Sequence, residues 1–129
     1  MTDRTATAPE GAIVRPDNPQ HRMVLKPIAA RVRVHADGTK IADSGNAVWL
    51  LETFNRVYNP VIYIPYTDLA ATLDMVEKTS HCPLKGDASY YAVNGDEIGW
   101  AYNDPFDFSA AIKGHHAFWP QKVRIEIGE

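Results

Sequence analysis

Cysteine is nearly absent from this sequence of 129 residues, in which Cys82 is the one thiol. A single thiol forms no disulfide within the chain and cannot build a structural zinc site from paired cysteines. A metal would need the five histidines and some carboxylates. The neighbours His115 and His116 would point to opposite faces of a regular strand. We therefore expect no metal and no other cofactor.

A basic surplus and long apolar runs are also absent. The 13 lysines and arginines are outnumbered by 16 acidic residues, which gives a formal net charge of −3 and a pI near 5.9. A chain of this charge has little attraction for nucleic-acid phosphates. No run approaches the roughly 20 apolar residues of a membrane-spanning helix, and the N-terminus lacks a secretion-signal pattern. These absences predict a cytoplasmic protein that binds neither nucleic acid nor membranes.

The first 20 residues contain Pro9, Pro16 and Pro19 and few apolar side chains. Because proline has no backbone N–H and restricts the residue before it, this segment favours a flexible arm. Over the whole chain 45% of residues are hydrophobic, which is an ordinary content for a globular domain with one core. The sequence predicts an arm over residues 1–20 and a single β-rich domain over residues 21–129.

Short alternating segments and tight-turn signals dominate that domain. Arg31–His35 alternates polar and apolar residues, as a half-buried strand does. Asp37-Gly38 and Asn94-Gly95 are hairpin signals, because both residues tolerate the positive φ angles of a two-residue turn. Thr67–Leu73, with Thr67 as its N-cap, and Ser109–Lys113 favour short helices. About seven to nine strands without a βαβ rhythm predict a mostly β fold of two antiparallel sheets, tent-like or sandwich-like.

The hairpin around Asn94-Gly95 carries several aromatic residues. A regular two-residue hairpin pairs Ser89 with Trp100 on one face of the sheet and leaves Tyr90 on the other. A bulge at Gly99 would change which side chains share a face.

Two segments carry a family likeness: Thr79–Tyr90, with Cys82-Pro83-Leu84-Lys85-Gly86 at its centre, and Trp100–Pro105. They resemble a small bacterial domain-of-unknown-function family, number 427, whose pattern is Cys-Pro-x-Lys-Gly, Ala-Ser-Tyr and Trp-x-Tyr before a proline. The likeness covers roughly Arg31 to Ile127. It implies a β-tent, in which two antiparallel sheets meet along one edge. The family is catalogued in places as a nucleotidyltransferase domain.

The resemblance also implies a range of ligands. Relatives on the β-tent include zinc-bearing domains and a domain that holds a cyclic imide in a cage of tryptophans. This chain departs from the zinc-bearing relatives, because Cys82 has no Cys-x-x-Cys partner. It also has Leu84 where the family often has tryptophan, which alters one wall of any pocket.

We expect the motif to form a small-molecule site in which aromatic rings stack a planar or cationic ligand. Lys85 would pair with an anionic group, and Ser89 would make a hydrogen bond. The alternative interpretation of the aromatic residues is a plain hydrophobic core. The expected ligand-binding residues are Lys85, Gly86, Ser89, Tyr91, Trp100 and Tyr102.

A second function class is an enzyme that uses Cys82 as a nucleophile, or Lys85 and Glu52 in acid–base chemistry. The cysteine can equally be a small buried hydrophobe. Nucleotidyl transfer is less favoured, because Asp104 and Asp107 lack a nearby glycine-serine turn that would grip a triphosphate.

A third class is a structural domain that associates with itself. Sheet edges near Met23 and Val123 would pair between copies of the chain. The expected state is a monomer or a weak homodimer.

Overall fold

The computed structural model describes residues 11–128, in which eleven strands and two 3₁₀ helices are found. The helices are Tyr66–Asp68 and Asp107–Ile112. The strands are β1 (Ile13–Val14), β2 (Arg22–Pro27), β3 (Val32–Ala36), β4 (Thr39–Ser44), β5 (Val48–Thr53), β6 (Val61–Pro65), β7 (Asp74–Cys82), β8 (Gly86–Val93), β9 (Asp96–Ala101), β10 (His115–Phe118) and β11 (Arg124–Ile127).

The strands form two antiparallel sheets, which confirms the predicted fold class. The large sheet has the order β1-β2-β5-β6-β10-β9-β8-β7, and the small sheet has the order β11-β3-β4. The strand count exceeds the prediction mainly because β1 is very short and β7 is a largely exposed edge strand with no clean alternation. No helix of the described residues is long and apolar enough to cross a membrane.

Both predicted hairpin turns are confirmed. Asp37 and Gly38 have φ angles of 50° and 76° between β3 and β4, and Asn94 and Gly95 have φ angles of 50° and 79° between β8 and β9. Two consecutive positive φ angles give the turn that matches the right-handed twist of the strands.

The predicted pairing of Ser89 with Trp100 is wrong. The register shifts by one residue after the turn, so that Trp100 lies opposite Tyr90 and Ser89 lies opposite Ala101. The cause lies beside Gly99, where a Cβ atom would stand 2.2 Å from the carbonyl oxygen of Ala117. The β10 backbone therefore packs against a residue without a side chain. The bulge moves Tyr90 and Trp100 to the same face.

The predicted helix over Thr67–Leu73 is also wrong. Only Tyr66–Asp68 is helical, and no side chain caps its N-terminus. The chain after it is extended, because the Ala70 amide donates a hydrogen bond to the carbonyl oxygen of Ile41 in β4. Tertiary pairing with the small sheet thus overrides the local helical pattern.

Near the N-terminus, β1 pairs with β2, and Ile13 lies opposite Met23. The first ten residues of the predicted arm lie outside the described residues, whereas Ile13–Val14 already belongs to the large sheet. Met23 is therefore not at a sheet edge, because β2 lies between β1 and β5. Val123 directly precedes β11, which is an edge of the small sheet.

Two hydrophobic clusters occupy opposite faces of the large sheet. Ile62 and Ile64 of β6 point toward the small sheet and pack with Val32, Val34 and Ile41. The alternate residue Tyr63 points to the other face, since successive side chains of a strand alternate. There it packs in a second cluster with Met23, Leu50, Leu84, Ala88, Tyr102, Ile112 and Ala117.

Candidate functional site

A cleft of about 350 Å³ opens on the second cluster, on the face of the large sheet that turns away from the small sheet. This volume is suitable for a small organic ligand. Its walls combine tryptophan and tyrosine rings with three charged side chains. The residues that line the cleft are Leu50, Glu52, Arg56, Tyr58, Asn59, Val61, Tyr63, Lys85, Tyr90, Trp100, Tyr102 and Trp119.

The period of two along neighbouring strands places these residues on one face. Leu50 and Glu52 come from β5, and Val61 and Tyr63 come from β6. The other strands contribute in the same way, through Tyr90 of β8, Trp100 of β9 with Tyr102 just beyond it, and Trp119 directly after β10.

The aromatic wall is held by ring contacts and a hydrogen bond. The ring centroids of Trp100 and Trp119 are 4.3 Å apart, and Trp119 stacks on Tyr90 at 6.4 Å with an angle of 10°. Trp100 meets the edge of Tyr63, and its indole N–H donates to the Tyr63 hydroxyl at 3.1 Å. The tryptophan is therefore fixed in orientation while part of its ring remains exposed.

Edge strand β7 supports this wall from outside. The Ser80 and Tyr90 hydroxyls are hydrogen-bonded at 2.7 Å, and the Lys78 ammonium lies 4.2 Å from the centre of the Tyr90 ring. Lys78 also pairs with Glu97, which accepts a hydrogen bond from the Trp119 indole at 3.1 Å. The exposed polar residues of β7 thus orient two of the cleft's rings.

A buried ion pair lies at one end of the cleft. The Lys85 ammonium donates to one carboxylate oxygen of Glu52, and His21 contacts the other at 2.8 Å. Only 7% of the Lys85 side chain is exposed. Burial raises the pKa of Glu52, but the charge and hydrogen bond of Lys85, together with His21, outweigh this and lower that pKa overall. Glu52 therefore remains a carboxylate at neutral pH.

The turn between β7 and β8 is shaped so that Lys85 points inward. Its amide donates to the Cys82 carbonyl oxygen at 3.2 Å, and its own carbonyl accepts from the Phe106 amide at 3.1 Å. The Ser109 hydroxyl donates to the Leu84 carbonyl oxygen at 2.6 Å. Gly86 follows with a φ of 114°, where a side chain would be strained.

Cys82 and His21 complete a polar cluster around the ion pair. The Cys82 sulfur lies 3.8 Å from the Lys85 ammonium, which is 5.7 Å from the centre of the Tyr102 ring. Arg15 donates to His21 Nδ1 at 3.4 Å. Since arginine cannot accept a hydrogen bond, His21 carries its proton on Nε2 and donates it to Glu52.

The same cluster contains donor atoms for a metal ion. The ligand atoms of His21, Glu52 and Cys82 lie within 4.8 Å of one another. In the present arrangement His21 Nε2 is a donor rather than a free ligand, and the positive charge of Lys85 adjoins both other groups. The three residues are therefore engaged as a hydrogen-bonded network.

The structure brings Lys85, Trp100 and Tyr102 together in one cleft with Glu52, and it places Cys82 beside them. Gly86 serves the turn and does not line the cleft. Two other expected residues, Ser89 and Tyr91, lie on the opposite face of β8 from Tyr90. There the Tyr91 ring contacts His116, and its hydroxyl accepts from Asn103 at 2.8 Å.

Sequence reasoning missed several residues of the site. His21 and Trp119 both lie outside the two segments that carry the family motif. The signal for Tyr63 was present, because its spacing of two from Val61 puts both on one face of a strand. A regular two-residue hairpin places Tyr90 on the wrong face, because it lacks the bulge beside Gly99.

A family profile matches residues 24–129, and its description is a domain of unknown function, DUF427. The chain belongs to the DUF427 family. The DUF427 match contains every residue that lines the cleft. A search of curated proteins finds no match.

Among the cleft-lining residues Glu52 is the one carboxylate, whereas two-metal nucleotidyl transfer uses a cluster of carboxylates.

Proposed function

We propose that this DUF427 chain binds a small molecule whose planar ring stacks against Trp100, Trp119 and Tyr90. The observation that carries the proposal is the presence of these oriented rings and the Glu52–Lys85 ion pair in one cleft of about 350 Å³. Aromatic faces give stacking area, and a few fixed polar groups give selectivity.

The exposure of the rings favours this proposal over a plain aromatic core. Trp100, Trp119 and Tyr90 are each only partly buried, although neighbouring Tyr63 is 2% exposed. Both indole N–H groups already have acceptors within the protein. Rings that stay partly exposed while their polar atoms are satisfied suit a stacked ligand.

The charges of the cleft favour a ligand with an anionic or acceptor group. Glu52 neutralises Lys85, so the ammonium that was expected to hold an anion is already paired. Arg56 is exposed, with its guanidinium 4.5 Å from the centre of the Tyr58 ring. Among the described residues no carboxylate lies within ion-pair distance of it. Arg56 is therefore the cation available to a carboxylate-bearing ligand.

The proposal keeps three expectations drawn from the sequence. The protein would act in the bacterial cytoplasm, without nucleic acid or membrane as partner. It would be a monomer or a weak homodimer, in which the exposed edge strand β11 is the candidate contact.

The test is a fluorescence titration with the ring probes nicotinamide and nicotinate. Trp49, the one tryptophan outside the cleft, is first replaced by phenylalanine so that emission reports Trp100 and Trp119. We expect saturable quenching and a higher melting temperature with bound probe. Trp100→Ala should remove both effects. Failure of both probes, and of a wider set of planar amides and carboxylates, to change either signal would overturn the proposal.

A further inference from the structure

Three chemically complementary groups meet beside the cleft, where Glu52 and Lys85 line its wall and Cys82 lies next to Lys85. The Lys85 ammonium lies between the Cys82 sulfur, at 3.8 Å, and a carboxylate oxygen of Glu52. His21 holds the second oxygen of that carboxylate at 2.8 Å. The Lys85 ammonium contacts both the thiol and the carboxylate, and the ligand atoms of Cys82 and Glu52 lie within 4.8 Å of one another. A nucleophile, a cation and a base this close together, beside an aromatic cleft, are the parts of a covalent acyl-transfer site.

We infer that Cys82, Lys85 and Glu52 form a thiol acyl-transfer centre for ring-bearing esters and amides bound in the cleft. The inference rests on the proposed function, because the aromatic wall must place the acyl carbon near the sulfur.

Formation of the thiolate needs a path for one proton. Lys85 passes a proton to Glu52 while it accepts the proton of the Cys82 thiol, so the ammonium is restored and Glu52 becomes neutral. The thiolate then attacks the acyl carbon and forms a C–S bond. The ammonium of Lys85, which remains beside the sulfur, stabilises the negative charge that develops on the acyl oxygen.

The remaining steps return the proton. Collapse of the tetrahedral adduct breaks the bond to the leaving amine or alkoxide, which takes the proton from Glu52 and departs as a neutral molecule. A thioester remains on Cys82. Water then attacks the thioester as Glu52 accepts one of its protons, and the C–S bond breaks. The departing Cys82 thiolate takes that proton back from Glu52, so the products are a carboxylic acid and the free thiol, and Glu52 is again a carboxylate.

The cost of burying the ion pair supports a chemical role. A buried ion pair contributes little net stability compared with apolar residues of similar volume. Glu52 and Lys85 are nevertheless largely buried, next to the exposed faces of the cleft. Titratable groups kept together at the end of a cleft are typical of catalytic sites. His21 is a positioning residue in this centre, since it touches the carboxylate and not the substrate.

The single cysteine makes the test direct. The native protein is mixed with 4-nitrophenyl acetate, and released 4-nitrophenolate and the intact mass are followed. We expect a burst that approaches one nitrophenolate per chain, and an acetyl group on Cys82 that hydroxylamine removes. Lys85→Met and Glu52→Gln should each slow acylation by about a hundredfold. Cys82→Ala should abolish the burst.

Controls separate chemistry from folding and from binding. Lys122→Met removes an exposed lysine and should leave the burst rate unchanged. Glu52→Asp keeps a carboxylate, so it should retain more activity than Glu52→Gln at equal melting temperature. The inference is overturned when acetyl groups appear on exposed lysines and not on Cys82. It is equally overturned when folded Lys85→Met reacts as fast as the wild type. Nicotinamide binding is measured separately. Its loss would contradict the proposed binding function, whereas retained binding without acylation of Cys82 would contradict the acyl-transfer centre alone.

Discussion

Tyr90 lies directly opposite Trp100 across the β8–β9 ladder, and both rings line the same cleft. This pairing depends on the bulge beside Gly99, which shifts the register by one residue. Without the shift, Tyr90 would leave the cleft and Ser89 would face it. The absence of a side chain at residue 99 therefore helps to determine which residues can meet a ligand.

Gly99→Ala should destabilise the protein strongly. The new Cβ atom would lie 2.2 Å from the Ala117 carbonyl oxygen, a backbone atom that cannot move without disturbing β10. Overpacking costs about 1–3 kcal/mol, and we expect the upper end of this range here. Gly45→Ala is the matched control, because its nearest neighbour is a side-chain atom of Arg31 at 3.7 Å. Urea unfolding measures the stability of both variants. Equal losses of stability would contradict the prediction.

The Glu52–Lys85 pair should show strong coupling in a double-mutant cycle. Loss of one partner leaves the other charge buried without compensation, which costs about 3–5 kcal/mol in well-buried pairs. Glu52→Gln combined with Lys85→Met should therefore destabilise the fold by less than the sum of the single changes. Asp96 and Lys122 form an exposed pair at 2.9 Å and serve as the control, with coupling close to zero. Additive single effects at Glu52 and Lys85 would contradict the expectation.

His116 should make the fold less stable in mild acid. It is 4% exposed, and burial, with a smaller effect of His115, lowers its pKa to about 4. The unfolded chain binds this proton more tightly, so stability is complete above the ordinary pKa of about 6.5 and falls as the pH drops toward 4. The loss from this residue reaches about 3 kcal/mol.

The measurement is urea unfolding from pH 7.5 to pH 4 for the wild type and His116→Gln. The Nδ1 atom of His116 has no hydrogen-bond partner among the described residues, so the replacement removes no hydrogen bond of that atom. We expect the stability difference between the two proteins to shrink or reverse as the pH falls. Parallel pH profiles would show that His116 does not carry the effect.

The fold class and both hairpin turns could be predicted because they depend on local rules. Asp37-Gly38 and Asn94-Gly95 specify their turns by backbone conformation alone. Lys85, Trp100 and Glu52 could also be selected as site candidates by their chemistry. The sequence could not reveal that Lys85 is neutralised by Glu52, because these residues meet only when β5 and the turn before β8 come together.

The two wrong predictions share one physical cause, which is contact between residues that are distant in sequence. The helix expected over Thr67–Leu73 is replaced by an extended segment tied to Ile41, a partner distant in sequence. The faces of Ser89 and Tyr90 depend on how closely β10 approaches Gly99. Local patterns carry no information on either contact, since each is decided by the packing of strands that are far apart in the chain.

Arg56 should set the preference of the cleft for anionic ligands. Its guanidinium lies over Tyr58 at the cleft, while the buried Glu52–Lys85 pair is neutral overall. The wild type should therefore bind nicotinate more tightly than the neutral nicotinamide, by about tenfold for one charge-assisted contact. Arg56→Met should weaken the binding of nicotinate and leave that of nicotinamide unchanged, so that the two dissociation constants become similar. Arg124→Met, at an exposed arginine outside the cleft, is the control and should keep the preference. If Arg56→Met loses affinity equally for both probes, the arginine maintains the shape of the cleft and does not recognise the charge of the ligand.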